Sequence, residues 1–247
     1  MNLLRADQST LTADQWNLLS NLSHCYDGHA GFSIGEQYMF GQNNLPHKLR
    51  FKSATIEQLF HVLLDATQPL YKNNRDFLSL SADDRSVLLG TTLTFTASIS
   101  TNFIFYKIRL IEQSAYYDAV EMMTSANLVP IAKRFPARLN FDVNVMKLFL
   151  AILSFSTFRC IAYPHSSSDN LSNIQEIVRI QDRYIEITWR YLLYTYDHER
   201  AVKSFSDFIR CIFVVNEGVV EAQEHQWYQE TIDSIAEKTE QSLSLND

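Results

Sequence analysis

The segment that decides the fold is Leu70–Leu89, which reads LYKNNRDFLSLSADDRSVLL. Ser81 is a preferred helix N-cap residue, and Asp83 and Asp84 in the first turn complement the helix dipole. The Thr- and Ser-rich stretch that follows has strand-like propensity, but no turn residue bounds it as a strand. We therefore predict a helix from Ser81 to about Lys107. The segment admits two interpretations, a capped amphipathic helix or the signature of a protein family.

The composition is that of a globular chain with few turns. The protein has 247 residues, of which 46% are hydrophobic, six are glycine and five are proline. This scarcity of turn residues favours long helices over sheets. Residues 1–247 are therefore predicted to form a single all-α domain of about ten helices.

Charge and cysteine content exclude several classes of function. The formal net charge of −7 argues against unaided nucleic-acid binding, which needs a basic face. Three cysteines without a CxxC pair suit a reducing compartment and build no structural zinc finger. His24, Cys25 and His29 are close in sequence but lack further ligands nearby, so we interpret them as loop residues. Neither a signal peptide nor a membrane span is expected.

Capping boxes and apolar periodicity divide the chain into predicted elements. A capping box at Thr12–Gln15 opens a helix over residues 12–27, and the glycine-rich residues 28–50 are predicted to be an irregular loop. The core is predicted to extend over residues 54–230, and the polar tail 231–247 is expected to fray. Further helices are predicted at residues 54–73, 118–133 and 142–159, the last of them opened by Asp142. A capping box at Ser172–Gln175 opens a long helix, and another helix follows at about 198–223. Residues 108–118 are ambiguous and admit a short hairpin.

Catalytic templates are missing from the sequence. The chain contains no GxGxxG, GxxxxGK[ST], HExxH or GxSxG motif. It also shows no convergent set of titratable groups. We predict that the protein is not an enzyme and needs no metal or cofactor.

Leu70–Leu89 resembles the signature of the nuclear-receptor ligand-binding domain. The family pattern is an aromatic-small-Lys triplet, then Phe, Leu, Asp-Gln and Leu-Leu at fixed spacing. The matching positions are Lys72, Phe77, Leu80, Asp84, Leu88 and Leu89, with Arg85 in place of the usual Gln. Residues 146–155, 178–192 and 200–223 resemble later helices of the family, in the same order. The resemblance covers nearly the whole chain and implies a three-layer antiparallel helical sandwich.

The resemblance implies a cavity for a lipophilic small molecule such as a fatty acid, sterol or retinoid. An apolar wall with a few hydroxyl groups suits such a ligand. The family's pocket-facing positions fall on Ile56, Phe60, Leu63, Thr94, Ala97, Ser98 and Thr101. The family's ligand-anchoring arginine falls on Ile104, so an acidic or phenolic ligand is not expected there.

The resemblance also implies a groove for an LxxLL-type helix of coregulator proteins. In the family, a lysine meets the carbonyls at the C-terminus of that helix, and a glutamate on the final helix meets its N-terminal amides. Lys72 matches the lysine, and Glu237 is the closest candidate for the glutamate, although Lys238 and Thr239 follow it where apolar residues belong. The predicted groove comprises Gln68, Lys72, Arg85, Ser86, Leu89 and Glu237.

The helix near residues 199–223 corresponds to the dimer seam of the family. Its apolar residues are too many for one face, so some are predicted to pack across a two-fold axis. The predicted seam is Phe205, Phe208, Ile209, Ile212 and Phe213. We expect a homodimer, or a heterodimer with another nuclear receptor, in the nucleus and/or cytoplasm. The cysteines and basic region of the family's DNA-binding module are missing from this sequence, so direct contact with nucleic acid or a membrane is not predicted.

Two hypotheses for the function remain open at this point. The first is a ligand-regulated or orphan transcriptional regulator domain that binds a lipophilic molecule and coregulator helices and dimerises. The second is a non-catalytic helical adaptor for protein interactions, in which the same pocket residues fill the core and leave no room for a ligand.

Overall fold

The structure is a computed structural model that describes residues 11–25, 28–157 and 171–245, without the side chains of residues 24, 25 and 28–30. Its described residues are mostly helical and contain no strand, which confirms the predicted all-α class with about ten helices. Three short 3-10 helices lie at His47–Leu49, Leu110–Glu112 and Pro136–Arg138. The α-helices are α1 (Ala13–Cys25), α2 (Gly28–Asn43), α3 (Ser53–Asp65), α4 (Pro69–Lys72), α5 (Arg75–Leu78), α6 (Ala82–Lys107), α7 (Ser114–Met123), α8 (Leu128–Ala132), α9 (Val143–Ser154), α10 (Ile174–Thr195), α11 (His198–Ala222) and α12 (Gln226–Ser244).

Helices α6 and α9 form the interior of the domain. Both have buried residues around most of their circumference, and they pack against each other. Helices α3, α11 and α12 cover α6, and α1 and α10 cover α9. Three threonines of α6 are accommodated because their hydroxyls donate to carbonyls one turn back, namely Thr91, Thr96 and Thr92, whose Oγ1 donates to Leu88 O at 2.7 Å. This explains why a stretch with strand-like propensity is helical.

The segment 70–89 forms the bend between α4, α5 and α6. Asn74 caps α5, because its side chain accepts hydrogen bonds from the backbone N–H groups of Asp76 and Phe77 at 3.0 and 3.3 Å. Phe77 is fully buried, with its ring centroid 5.1 Å from that of Tyr71 and 6.1 Å from that of Phe155. The aromatic side chain therefore joins the bend to the end of α9.

Asp84 connects the start of α6 to the start of α10. Its carboxylate accepts hydrogen bonds from the backbone N–H and the hydroxyl of Ser172, at 2.6 and 2.8 Å. Ser172 was predicted to be the N-cap of the long helix, but Asn173 has that role, with its side chain accepting from Glu176 N. The capping predictions for Thr12, Ser81 and Asp142 are confirmed.

The prediction of an irregular loop over residues 28–50 is wrong. Residues 28–43 form α2, which packs against α3 and α6. A Cβ atom at Gly31 would lie 2.7 Å from Ile104 Cδ1, and one at Gly35 would lie 3.1 Å from the side chain of Ile108. The glycines that suggested a loop thus allow close approach of two helices.

Further boundaries differ from the sequence prediction, and the helix predicted at residues 142–159 ends at Ser154. The predicted helix 54–73 ends at Asp65, and Pro69 begins α4, where the missing N–H of proline costs no helical hydrogen bond. The option of a hairpin at residues 108–118 is replaced by a 3-10 turn and the start of α7. The helix predicted at residues 118–133 is divided into α7 and α8.

The prediction of a frayed tail over residues 231–247 is wrong for the residues that the structure describes. Helix α12 continues to Ser244 and packs against α3, α4 and α6. Its buried side chains are Tyr228, Ile232, Ile235, Thr239 and Leu243. They recur every three or four positions, so a helix with a polar average composition still has one contact face.

Helix α6 is long and apolar enough to cross a membrane, by length and composition alone. Most of its apolar window is buried inside the protein. A core helix has the same composition, so this feature is accounted for by the packing of α6.

Candidate functional site

A cavity of about 80 Å³ lies between α3, α6, α7, α8, α11 and the first turn of α12. Its wall is mainly apolar. The lining residues are Phe60 and Leu64 on α3, Ser98, Thr101 and Asn102 on α6, Tyr116, Val120 and Met123 on α7, Thr124, Leu128, Ile131, Ala132 and Phe135 around α8, Val215, Gly218, Val219 and Ala222 on α11, and Trp227 and Tyr228 on α12.

Helix α6 contributes a polar strip to this wall. Ser98 Oγ lies 3.0 Å from the hydroxyl of Tyr228, and Asn102 Nδ2 donates to Ser98 O at 2.8 Å. Burial raises the pKa of Tyr116, so its phenol stays protonated and donates to Asn102 Oδ1 at 3.5 Å. The Thr101 hydroxyl is buried and has no hydrogen-bond partner.

Three of the seven predicted pocket residues line the cavity, namely Phe60, Ser98 and Thr101. Ile56 and Leu63 are fully buried in the cluster that also contains Ile104. Thr94 and Ala97 are buried on α6 but are not part of the cavity wall. The family-based positions thus lie on two of the helices that line the cavity, α3 and α6, but include only part of the face that each presents to it.

The α7, α8, α11 and α12 sides of the cavity were not predicted from the sequence. Asn102 was within reach of a sequence argument, because it lies one turn after Ser98 on the same helix. Trp227 and Tyr228 were not, because nothing local relates α12 to α6. Trp227 is held by its indole N–H, which donates to Met123 O at 2.5 Å.

A second candidate surface lies at the start of α4 and on the first turns of α6. We call it the Lys72 surface, and it consists of Gln68, Lys72, Arg85, Ser86 and Leu89. Lys72 Nζ donates to Gln68 Oε1 at 2.5 Å, and Gln68 Nε2 donates to Asp65 Oδ1 at 2.7 Å. Helix α12 packs over this region. Lys238 Nζ lies 3.7 Å from Asp65 Oδ1, so an ion pair extends the polar chain onto α12.

The predicted groove is therefore partly covered in this structure, since Lys72 is half-buried and Ser86 is exposed. Gln68, Arg85 and Leu89 are buried, and Arg85 donates to Leu78 O at 3.1 Å. The hydroxyl of Ser86 donates to Glu240 Oε1 at 2.6 Å. Glu237, the predicted acidic clamp, lies on the exposed side of α12. Its neighbours Lys238 and Glu240 make the polar contacts instead.

Of the predicted dimer seam, only Ile209 and Phe213 are exposed. Phe208 is buried, with its ring stacked on Phe149 at a centroid distance of 3.8 Å. Phe205 packs edge-on against the same ring at 5.8 Å, and Ile212 is partly buried against the core. Phe208 therefore packs in the chain's own core and cannot face a partner. Phe205 and Ile212 are half-buried, and their place in a seam stays a prediction.

Other sites of reactive chemistry are sparse among the described residues. No group of three or more His, Cys, Asp or Glu side chains is placed there to hold a metal ion. The side chains of His24, Cys25 and His29 lie outside the described set. Burial raises the pKa of the Cys211 thiol to about 12, which keeps it protonated. Compared with protein-family models and with curated proteins, the chain gives no match to either.

Proposed function

We propose that this protein is a regulator domain of the nuclear-receptor ligand-binding type, which senses a small molecule and controls access to a coregulator groove. One observation supports the proposal above all. Helix α12 lines the cavity through Trp227 and Tyr228 and also covers the Lys72 surface through Lys238 and Glu240. Any change in the cavity that displaces α12 would therefore alter exposure of the groove. No bond is made or broken in this function.

The two ends of α12 supply the physical coupling. At the cavity end, Tyr228 is hydrogen-bonded to Ser98, and Thr231 Oγ1 lies 3.0 Å from His61 Nδ1. At the far end, the contacts of Lys238 and Glu240 involve exposed side chains, and exposed ion pairs contribute about 0–1 kcal/mol each. The polar contacts at the far end are thus weak, and the buried side chains of Ile235, Thr239 and Leu243 supply the rest of its packing. A ligand can change the equilibrium between a closed and a displaced position of α12 only by the difference in its binding free energy for the two positions.

Weakening the far end of α12 is expected to open the groove. The double variant Lys238→Glu/Glu240→Lys should bind a fluorescent LxxLL peptide at least about fivefold more tightly than the wild type, because it loses both polar contacts. Adding Lys72→Ala should remove about 1–3 kcal/mol of that binding, since the ammonium no longer meets the peptide carbonyls. Fluorescence polarisation measures both effects.

A control on the same helix separates the loss of these two contacts from the reversal of an exposed charge. Asp233→Lys alters an exposed residue of the same helix and should leave peptide binding at the wild-type level. If the double variant binds no more peptide than this control, α12 does not guard the groove. If Lys72→Ala has no effect in the opened variant, the peptide does not use the predicted clamp.

The small volume of the cavity supports the adaptor hypothesis, which is the second candidate function. Drug-sized ligand pockets have volumes of about 300–1,000 Å³, whereas this cavity holds about 80 Å³. Phe60 projects into the region, with its ring centroid 4.5 Å from that of Phe105. Native mass spectrometry distinguishes the two functions. A co-purifying small molecule supports the sensor, and a ligand-free protein that no hydrophobic compound stabilises supports the adaptor.

We further propose that two copies of the chain associate through α11. Val202, Ser206, Ile209, Phe213, Asn216 and Val220 follow one another at alternating spacings of four and three, the pattern of a coiled-coil seam. The four apolar members are exposed on the described surface, and 69% of Phe213 is accessible.

We call these six residues of α11 the α11 stripe. Their order along the helix favours an antiparallel pair of identical helices. The stripe is symmetric about Cys211, so a two-fold axis there places Phe213 of one copy opposite Ile209 of the other. The same axis brings Val220 opposite Val202. Lys203 of one copy then lies near Glu217 of the other, although within the chain Lys203 already pairs with Asp207 and Glu217 with Arg134. A second copy of this chain is therefore the partner that the surface fits.

Phe213→Glu is expected to separate the two copies. A charge at the centre of an apolar seam should cost about 2–4 kcal/mol of association free energy, and the variant should sediment as a monomer in analytical ultracentrifugation. Phe40→Glu is the matched control, because Phe40 is equally exposed on α2, and it should sediment like the wild type. A monomeric wild type at high concentration, or a dimeric Phe213→Glu variant, would contradict this assembly.

A further inference from the structure

We propose that the loop between α2 and α3 binds the surface of a lipid bilayer that contains anionic lipids. The loop comprises residues 44–52, and we call it the α2–α3 loop. Such binding goes beyond the proposed regulatory function and does not depend on it. It also departs from the sequence-based expectation that the chain makes no direct contact with a membrane. Three features of the loop carry the inference, namely exposed apolar side chains, a local excess of positive charge and a braced backbone.

Apolar side chains project from the α2–α3 loop and from the helical turn before it. Phe40 is 72% exposed, Leu49 is 53% exposed and Leu45 is 38% exposed. Every residue from 43 to 49 is exposed, so this part of the chain is a protrusion rather than a groove. A partner helix needs a groove that encloses its apolar face, whereas a protrusion can insert apolar side chains into the interface of a bilayer.

The α2–α3 loop is a basic part of an acidic chain. Residues 37–56 contain no carboxylate and three cations, Lys48, Arg50 and Lys52, although the whole chain has a net charge of −7. Both lysines are exposed, and neither forms an ion pair among the residues that the structure describes. At physiological salt, exposed charges more than about 8 Å apart are largely screened from each other. The local cations therefore decide which surface can approach, and anionic lipid headgroups complement them.

Hydrogen bonds hold the α2–α3 loop in one conformation. Arg50 donates from Nε to Leu45 O and from Nη2 to Asn43 O, both at 2.7 Å. The N–H of Phe51 donates to Gln42 Oε1 at 2.5 Å, and this bond supports the left-handed backbone of Phe51, which has a φ of 52°. Because the loop is already ordered, binding does not cost the entropy of ordering it. Arg50 therefore shapes the loop, which leaves the two exposed lysines to contact headgroups.

An acidic segment of another protein is the alternative partner for the same charges. It would neutralise Lys48 and Lys52 but would leave the exposed apolar side chains without an enclosed site. A bilayer accommodates both sets of side chains at once, because apolar groups enter the boundary of the acyl chains while ammonium groups stay at the level of the headgroups. The combination of charge and exposed apolar surface therefore favours the bilayer.

The test is co-sedimentation of the full chain with sucrose-loaded vesicles. Vesicles of phosphatidylcholine and phosphatidylserine should bind the chain, and vesicles of phosphatidylcholine alone should not. The double variant Lys48→Ala/Lys52→Ala should weaken binding by about 20-fold, since each cation near an anionic surface contributes about fivefold. Arg179→Ala/Lys203→Ala is the matched control, because it removes the same charge from exposed residues of α10 and α11, and it should bind like the wild type.

A second variant tests the apolar contribution without a change in charge. Leu49→Ser should weaken binding to the anionic vesicles by about fivefold, because it removes part of the inserted apolar surface. Tyr194→Ser is its control, since Tyr194 is 59% exposed on α10 and should have no effect. Glu36→Lys should strengthen binding, because it reverses a negative charge one turn before Phe40.

The outcomes distinguish the bilayer from a protein partner. A wild-type chain that does not sediment with anionic vesicles, or that binds them no better than Lys48→Ala/Lys52→Ala, overturns the inference. If the wild type ignores the vesicles but binds a poly-glutamate peptide through the same lysines, the loop is a protein-docking site and the inference fails. Vesicle binding that needs both lysines and Leu49 supports it, and equal far-UV circular dichroism of the variants and the wild type excludes misfolding as the cause of a loss.

Discussion

Phe77→Ala is expected to lower the free energy of unfolding by about 3–5 kcal/mol, the cost of replacing a fully buried phenylalanine with alanine. Phe77 has no exposed surface and contacts the rings of Tyr71 and Phe155. It lies where α5 meets the end of α9, so the void would lie between elements that cannot collapse together. Urea unfolding followed by circular dichroism measures the loss.

The control for this substitution is Phe40→Ala. Phe40 is 72% exposed on α2, so its truncation should change the free energy of unfolding by no more than about 0.5 kcal/mol. Equal effects at the two positions would mean that the bend is not packed as described. In that case the segment 70–89 would not organise the helical core.

Asp84→Ala is expected to cost about 2–4 kcal/mol, because a buried carboxylate that accepts two hydrogen bonds from Ser172 is removed. The substitution disconnects α6 from the start of α10. Asp83→Ala is the matched control, since Asp83 occupies the same first turn but is exposed. It should lose only the helix-dipole contribution of about 0.3–1 kcal/mol. Similar losses at both positions would contradict a connecting role for Asp84.

The pH dependence of this contribution has a definite sign. Burial alone would raise the pKa of Asp84, but hydrogen bonds from Ser172, Ser81 and Asn173 together lower it below its usual value. The folded pKa is thus lower than the unfolded pKa of about 3.9, so the carboxylate stabilises the protein above that pH. The contribution is lost as the pH falls through the folded pKa. The stability difference between wild type and Asp84→Asn should therefore be constant near neutrality and shrink below about pH 4.

The sequence predicted helix starts well where a side chain binds its own backbone. Ser81 and Asp142 cap their helices as expected, because an N-cap hydrogen bond spans only two or three residues. Ser172 had the same local signature but bonds to Asp84, 88 positions away in the chain. Asn173 then provides the cap. The local sequence pattern could not show which of the adjacent residues Ser172 and Asn173 caps the helix, because the partner of Ser172 is distant in the chain.

The candidate site was only partly predictable for a related reason. Phe60, Ser98 and Thr101 were assigned from positions on two helices, and all three line the cavity. Trp227 and Tyr228 complete it from α12, whose register on α6 depends on packing. The polar residues of α12 suggested fraying because average polarity conceals a single buried stripe.

By itself, the sequence determined the all-α class and the capped start of helix α6, since these depend on turn content and on capping. Only the tertiary structure decided that α2 is a helix, that α12 covers the Lys72 surface and that Phe208 faces inward while Phe213 faces out. The physical reason is that each of these outcomes depends on which surfaces meet. In the sequence alone, a glycine such as Gly31 suggests a loop, and only its contact with Ile104 in the folded protein shows that it allows two helices to pack closely. In the same way, the apolar face of a helix has no defined partner before the tertiary structure places another helix against it.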